Sequence, residues 1–379
     1  MNKDIRDYPI HVAQSEIDDL HRRLRDTRWV DKETSSDWSQ GIPLAYIQDI
    51  HKSWLEDYDW RQCEQRINDF GSFMTTIDDV DIHFLHVKSK HENAKPLLLA
   101  HGWPGSIVEF FKVIPMLTDP MTYGGTAEDA FHLVIPTMPG YGFSGKPSQP
   151  GWKVEKIARA WAELMARLGY SDYFAQGGDW GSAVTIGIGK ADPDHCRGVH
   201  VNMVIAFPDE AMLADPTAEE LKSLAQFAEH SEWGTGYSKQ QSTRPQTLGY
   251  ALVDSPIGQA AWVLEKFHAW ADCDGHPENI FTRQELLDNV MMYWLTASGG
   301  SSARLYWESF NSIDPGEFKL PMGASLFPVE IVRPSRRWAD KQYTNIVFWA
   351  EHERGGHFAA FEKPEIYVDD VRKCFALMR

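Results

Sequence analysis

The sequence predicts an α/β fold in which a mostly parallel sheet carries helices on both of its faces. Short apolar runs that end in glycine-rich turns alternate with amphipathic helical segments, as in repeated strand–helix units. The alternation stops near Ala206 and resumes at Ala324, which indicates a helical insertion. Because ligands bind beyond the carboxyl ends of the strands in open sheets, we expect the insertion to form a lid there.

The first 90 residues come before the alternation begins. A helix is predicted at residues 15–29, with Ser15 and Asp18 as a capping box and Ile17, Leu20 and Leu24 on one face. A second helix is predicted after Pro43. A strand pair is predicted at Phe73–Ile77 and Val80–Val87.

From residue 96 the predicted strands are short apolar runs that can be buried on both faces, as parallel strands are. The strongest amphipathic helix is Lys153–Leu168, which Gly169 ends. The other predicted elements are the strands Pro96–Ala100, Phe131–Thr137, Asp172–Gln176, Gly198–Ile205, Ala324–Pro328 and Thr344–Trp349, and the helices Ile107–Leu117, from Ser182, and Pro364–Leu377.

These patterns divide the chain into four parts. Residues 1–90 form an N-terminal extension and residues 91–205 the first part of the α/β core. Residues 206–316 form the helical lid, and residues 317–379 complete the core.

Composition restricts the partners and the cellular location. The 379 residues carry a formal net charge of −17, which disfavours nucleic acid and anionic membranes as partners. The N-terminus has no apolar segment, so neither a signal peptide nor a membrane anchor is expected. The four cysteines are widely spaced and are predicted to be buried free thiols. We therefore expect a soluble cytoplasmic protein; its oligomeric state stays open, with a homodimer among the options.

A candidate nucleophile lies in the turn Gly177-Gly178-Asp179-Trp180-Gly181. This turn follows a predicted strand and precedes a helix, which is the context of the nucleophile elbow of the α/β-hydrolase fold. The alternative interpretation is that Asp179 only caps the helix, since aspartate is a favoured N-cap residue. Further candidates along the chain favour the nucleophile.

A candidate base and its acid follow in the order that this fold requires. His357 lies in the loop between a predicted strand and the last helix, where the fold places its catalytic histidine. The acid is expected after the preceding strand, and Glu330 is the first carboxylate there. Its rivals are Asp314, Asp340 and Glu351.

The oxyanion hole needs two backbone N–H groups, one of them from the residue after the nucleophile. Trp180 supplies that one, and Trp103 is predicted to supply the other, because the following Pro104 has no N–H. A carboxylate that attacks an alkyl carbon forms an ester, which water can then hydrolyse. Aspartate as nucleophile therefore predicts substitution at an sp3 carbon, with epoxides and alkyl halides as the obvious substrates.

These segments resemble the epoxide hydrolase family, in particular its microsomal-type branch. The strings His101-Gly102-Trp103-Pro104-Gly105-Ser106, Gly177–Ser182 and Gly355–Phe361 carry the resemblance, together with Tyr58-Asp59-Trp60-Arg61 in the N-terminal region. The resemblance implies an N-terminal extension that wraps the core. It also implies that Asp179 is the nucleophile, His357 the base and Glu330 the acid that orients it.

The resemblance further implies two lid tyrosines that protonate the epoxide oxygen. The matching positions are Tyr237 and Tyr306, with Tyr250 and Tyr293 as alternatives. A phenol of pKa ~10 stays protonated at neutral pH and suits this role. The mammalian enzymes of this branch carry a membrane anchor, which is not expected here.

The predicted reaction is the hydrolysis of a small apolar epoxide to a vicinal diol, with water as the second substrate. It requires no cofactor and no metal, and no His/Cys cluster has metal-like spacing. The alternative function is a haloalkane or haloacid dehalogenase, which would share the nucleophile, the base and the acid but would need no tyrosine pair. The pair Glu219-Glu220 is predicted to be an exposed helix face.

Overall fold

A computed structural model of the chain describes residues 5–310 and 316–379. Within these residues one sheet contains nine strands. They are β1 (Arg6–Asp7), β2 (Ser72–Ile77), β3 (Val80–Val87), β4 (Lys95–Ala100), β5 (Phe131–Pro136), β6 (Tyr173–Gly177), β7 (Cys196–Val201), β8 (Met322–Leu326) and β9 (Ile346–Glu351).

The strand order is β1-β2-β3-β5-β4-β6-β7-β8-β9. The first four strands in this order pair antiparallel, and every later pair is parallel. The predicted strand pair is confirmed, with Ile77 opposite Val80. All residues of β6 and β8 are buried, as expected for strands that helices cover on both faces. The mostly parallel α/β-hydrolase fold is therefore confirmed.

Sixteen α-helices lie within the described residues. None of these helices combines the length and the apolar character needed to cross a bilayer. The sixteen helices are α1 (Gln14–Arg25), α2 (Leu44–Glu56), α3 (Trp60–Asp69), α4 (Val113–Thr118), α5 (Val154–Arg167), α6 (Trp180–Ala191), α7 (Glu210–Ala214), α8 (Ala218–Glu229), α9 (Gly236–Thr243), α10 (Pro245–Asp254), α11 (Pro256–Trp270), α12 (Arg283–Trp294), α13 (Gly299–Ser309), α14 (Arg336–Asp340), α15 (Ala359–Glu362) and α16 (Pro364–Ala376).

Two helix predictions need correction. The first helix ends at Arg25 and not at residue 29, and its N-cap is Ala13, which makes no side-chain cap hydrogen bond. The predicted capping box is therefore wrong, because Ser15 lies inside the helix. The predicted helix Ile107–Leu117 is interrupted: a 3-10 turn at Ile107–Phe110, capped by Ser106, precedes α4.

The segment between β7 and β8 is helical, as predicted: the described residues 206–310 contain helices and no strand. The N-terminal helices are tied to it by polar contacts. Arg283 of α12 donates to Ser53 and Asp49 of α2, and the Tyr58 hydroxyl donates to Asp288 of α12. The four-part division of the chain stays a prediction.

Glu220 on α8 corrects the expectation of an exposed acidic face. Its side chain is fully buried, whereas that of Glu219 is exposed. The guanidinium group of Arg337 and the hydroxyl of Ser335 donate hydrogen bonds to its carboxylate. Glu220 thus links α8 to the segment that follows β8. All four cysteines are free and buried, as predicted.

Candidate active site

The predicted site residues lie at the carboxyl ends of the parallel strands. Trp103 follows β4, Asp179 follows β6, Glu330 follows β8 and His357 follows β9. A parallel bridge between Val329 and Gly356 brings the last two loops together. Sequence-distant loops therefore converge at one edge of the sheet, as expected for this class of fold.

Asp179 occupies a strained turn between β6 and α6. Its backbone has φ +50° and ψ −131°, which is rare for a residue other than glycine and typical of functional sites. A Cβ atom at Gly177 would lie 2.2 Å from the carbonyl oxygen of Gly181, so the turn leaves no room for a side chain there. Asp179 makes no side-chain cap hydrogen bond to α6, and the helix-cap interpretation is therefore wrong.

The Asp179 carboxylate is held by the turn after β4. The backbone N–H of Trp103 donates a 2.8 Å hydrogen bond to Oδ1 of Asp179. A Cβ atom at Gly102 would lie 2.2 Å from the same oxygen, so the carboxylate packs directly on the main chain. Trp180 is the first residue of α6, directly after Asp179. The other carboxylate oxygen of Asp179, Oδ2, does not take part in the hydrogen bond with Trp103.

His357 lies between two carboxylates and is buried with them. Its Nδ1 atom is 2.6 Å from Oε1 of Glu330, and its Nε2 atom is 3.4 Å from Oδ2 of Asp179. The backbone N–H of Ile331 also donates to Oε1 of Glu330. The structure therefore brings Asp179, His357 and Glu330 together in the order of a catalytic triad.

Two of the three rivals of Glu330 lie within the described residues, and neither contacts His357. Asp340 pairs with Arg336 at the surface, and the exposed Glu351 accepts a hydrogen bond from Trp349. Asp314 lies outside the described residues.

The two carboxylates control the protonation of His357. Burial alone would lower the pKa of His357, but Glu330 and Asp179 outweigh it and raise that pKa well above its usual value. The two carboxylates therefore favour the protonated form of His357.

Tyr237 and Tyr306 lie over Asp179. The Tyr237 ring stacks on that of Trp103, with centroids 5.1 Å apart, and the Tyr306 ring meets the edge of Trp180 at 4.9 Å. The Tyr306 hydroxyl is buried without a hydrogen-bond partner in the described structure. Burial, reinforced by the charge of Asp179, raises the pKa of both hydroxyls above the usual range.

The alternative tyrosines are placed differently. Tyr250 is 68% exposed. The hydroxyl of Tyr293 donates to the carbonyl of Gly105 and is thereby engaged in the fold.

A cavity of about 440 Å³ opens above Asp179. Asp179, Tyr237 and Tyr306 line it, so the candidate nucleophile and the candidate acids face the same space. The rest of the lining is largely apolar and includes Trp180, Met203, Ile205, Phe227, Phe310, Ile331 and Val332.

Three site residues were missed at the sequence level. The carbonyl of Trp270 accepts a hydrogen bond from the His357 backbone, and its ring packs on the imidazole at 5.0 Å. The Asn202 amide points its Nδ2 toward the His357 carbonyl, 3.4 Å away. Glu109 lies near both Asp179 and His357. Of these three residues, only Glu109 could have been recognised from the sequence, because it is the single carboxylate inside the apolar run Ile107–Phe111.

No group of three or more His, Cys, Asp or Glu side chains within the described ranges is placed to hold a metal ion.

Family models match two parts of the chain. Residues 5–110 match the model of the epoxide hydrolase N terminus, and residues 95–252 match that of the alpha/beta hydrolase fold. The chain is 50% identical over 376 residues to a candidate epoxide hydrolase of Stigmatella aurantiaca, a match that covers 99% of this chain and 86% of that protein. It is 35% identical over 407 residues to epoxide hydrolase 1 of Sus scrofa, covering 100% of this chain and 90% of that protein.

Solved structures show the same similarity. The juvenile hormone epoxide hydrolase of the silkworm Bombyx mori superposes with a TM-score of 0.92 at 30% identity, and the match covers 100% of this chain and 95% of that one. The epoxide hydrolase of Aspergillus niger superposes with a TM-score of 0.89 at 31% identity, covering 99% and 97%. The chain therefore belongs to the epoxide hydrolase family and is a hydrolase that converts epoxides to diols.

Proposed function

We propose that the reaction proceeds in two steps through a covalent ester on Asp179. In the first step one carboxylate oxygen of Asp179 bonds to an epoxide carbon and the carbon–oxygen bond of the ring breaks. The epoxide oxygen takes a proton from the hydroxyl of Tyr237 or Tyr306. This protonation is needed because an alkoxide is a poor leaving group.

In the second step water hydrolyses the ester. The water oxygen bonds to Cγ of Asp179 while His357 Nε2 takes its proton. The N–H groups of Trp103 and Trp180 stabilise the oxyanion that forms. The bond from Cγ to the alkyl oxygen then breaks, and that oxygen leaves as the diol with a proton from His357. The new carboxyl group of Asp179 returns its proton to His357.

The charges around His357 explain how one residue serves both steps. In the free enzyme burial lowers the pKa of His357, but the carboxylates of Glu330 and Asp179 outweigh burial, raise the pKa and favour the protonated form. Ester formation removes the charge of Asp179, and His357 then loses one of its two partners. Its pKa falls, and the proton that it releases restores the hydroxyl of the tyrosine that protonated the epoxide oxygen. The neutral imidazole then becomes a base for water.

The single observation that carries this proposal is the position of His357 between the two carboxylates, 2.6 Å from Glu330 and 3.4 Å from Asp179. The direct test is multiple turnover in water enriched in 18O, followed by mass spectrometry of the peptide that contains Asp179. Label should enter the carboxylate. Diol formation with Asp179 unlabelled would mean that water attacks the epoxide directly.

The cavity supports a small, largely apolar epoxide as substrate. Aliphatic and aromatic side chains make up most of its lining, and the polar groups converge near Asp179. Such a site binds an apolar body and orients one polar atom. A panel of terminal, aryl and disubstituted epoxides would show which shapes fit.

The tyrosine pair also separates this function from dehalogenation. A halide leaves without protonation. Two hydroxyls of raised pKa next to Asp179 stay protonated and can give a proton to the alkoxide that forms when an epoxide opens. Matched epoxide and alkyl halide substrates distinguish the two functions. Halide release without diol formation would favour the dehalogenase.

We further propose that the protein acts in the cytoplasm. Its four cysteines are buried and unpaired, which fits a reducing compartment.

A further inference from the structure

A second, much smaller cavity lies at the nucleophile. It is lined by Asp179, His357, Glu109 and Asn202, among others, and has a volume of about 10 Å³. One ordered water molecule needs about 10–15 Å³ of such space and two to four polar partners. The cavity therefore has the size and the lining of a site for a single water.

Glu109 is the carboxyl group of this lining that the two-step mechanism leaves without a role. It does not belong to the triad, and the charged groups that act on it in the described structure are His357, Asp179 and Glu362, with no Lys or Arg among them. Its Oε1 atom lies against the main chain of Gly105, where a Cβ atom would come within 1.3 Å of it. Only glycine at position 105 allows the carboxyl group to reach this place.

The surroundings of Glu109 favour its neutral form. Burial raises the pKa of Glu109 to about 8; the charge of His357 opposes the rise and that of Asp179 adds to it. When the ester forms, both of these neighbouring charges disappear, while the leading cause, burial, stays. A neutral carboxyl group can accept a hydrogen bond from water through its carbonyl oxygen without bringing a second negative charge to the oxyanion.

We propose that Glu109 is a positioning residue that holds the hydrolytic water of the second step between Asp179 and His357. This inference rests on the proposed covalent mechanism. The Glu109 carbonyl oxygen accepts one hydrogen of the water, and the other hydrogen faces His357 Nε2. The water oxygen then bonds to Cγ of Asp179, and its proton passes to His357 as in the second step above. Glu109 itself gains and loses no proton.

The test separates the two half-reactions by single-turnover kinetics. A fluorescent or chromophoric epoxide is mixed with excess enzyme, and formation and decay of the alkyl-enzyme are followed by quenched-flow mass spectrometry. In Glu109→Leu, ester formation should keep its rate, and ester hydrolysis should slow on the order of 10–100-fold, because the water is no longer oriented. Glu109→Gln keeps the shape and the acceptor of the neutral acid and should hydrolyse the ester at close to the wild-type rate.

A second variant tests the position of the carboxyl group without removing it. Gly105→Ala should displace Glu109 and slow hydrolysis as Glu109→Leu does, and the double variant should be no slower than either single one. Equal slowing of both half-reactions in Glu109→Leu, or unchanged hydrolysis, would overturn the role of Glu109. Absence of any alkyl-enzyme in the wild type would instead overturn the covalent mechanism, so the two failures are distinguishable.

Discussion

Oδ1 of Asp179 accepts its hydrogen bond from the backbone of Trp103, a residue 76 positions earlier in the chain. Gly102 makes this contact sterically feasible, since a Cβ atom there would lie 2.2 Å from that oxygen. We expect Gly102→Ala to displace the nucleophile and to lower the rate of ester formation by about 100-fold, the usual effect of a misplacement of about 1 Å. Stopped-flow measurement of the alkylation step checks this.

Gly236→Ala is the matched control, because a Cβ atom at Gly236 meets no neighbour. It should keep the wild-type alkylation rate. A wild-type rate of alkylation in the Gly102→Ala variant would contradict the placement of the Asp179 carboxylate against Gly102.

Replacement of His357 should separate the two steps. In His357→Gln the ester should form and persist, because no base activates water. In Glu330→Gln the hydrolysis step should slow on the order of 10²–10⁴-fold, since the imidazole loses its partner. Intact-mass spectrometry of the enzyme after incubation with an epoxide measures the accumulated ester. An Asp340→Asn variant, at the surface, should behave as the wild type.

The two tyrosines should act on the first step alone. We expect Tyr237→Phe and Tyr306→Phe each to slow ester formation at least tenfold, and the double variant to lose nearly all activity, because general-acid assistance contributes about 10²–10⁴-fold. Tyr250→Phe serves as the control, because Tyr250 is exposed. Rapid-quench measurement of ester formation shows each effect.

The pH dependence of alkylation follows from the same hydroxyls. A phenol donates a proton only below its pKa, and burial raises the pKa of both hydroxyls above the usual value of 10.0. The alkylation rate should therefore not decline near pH 10 through ionisation of these tyrosines. A decline at pH 10 that either Tyr→Phe variant abolishes would contradict this assignment.

Glu220 should stabilise the fold in a manner that depends on pH. The hydrogen bonds from Arg337 lower the pKa of Glu220 from 4.5 to about 2. A pKa that is lower in the folded state stabilises the fold above the unfolded value, so the contribution is complete above about pH 4.5 and is lost as the pH falls toward 2. We expect Glu220→Gln to lower the free energy of unfolding by about 1–3 kcal/mol at pH 7.

Thermal unfolding of the wild type and the variant from pH 7 to pH 2 measures this effect. The difference in Tm should shrink below pH 4.5. Glu219→Gln, on the exposed side of the same helix, should leave Tm unchanged. A difference that stays constant down to pH 2 would mean that the charge of Glu220 is not responsible.

Much of the fold was predictable because buried parallel strands are continuous apolar runs, and β6 and β8 illustrate this. Helix ends were less predictable. The Ser15 capping pattern suggested a start that the chain does not use, and a 3-10 turn capped by Ser106 precedes α4 within a mostly apolar run. Local sequence does not determine such choices when several caps compete.

The candidate site was predictable where function requires a local motif. Asp179 and Trp103 lie in glycine-rich turns, and the fold sets the place of His357. Glu109 and Trp270 carry no such motif, because their positions depend on how distant elements pack. The burial of Glu220 has the same cause: its partner Arg337 is 117 residues away.

Trp103 contacts both Asp179 and Tyr237. Its backbone N–H donates a hydrogen bond to Asp179, and its ring stacks on that of Tyr237, which belongs to the helical segment between β7 and β8. The position of one candidate proton donor is therefore coupled, through the single residue Trp103, to the position of the candidate nucleophile.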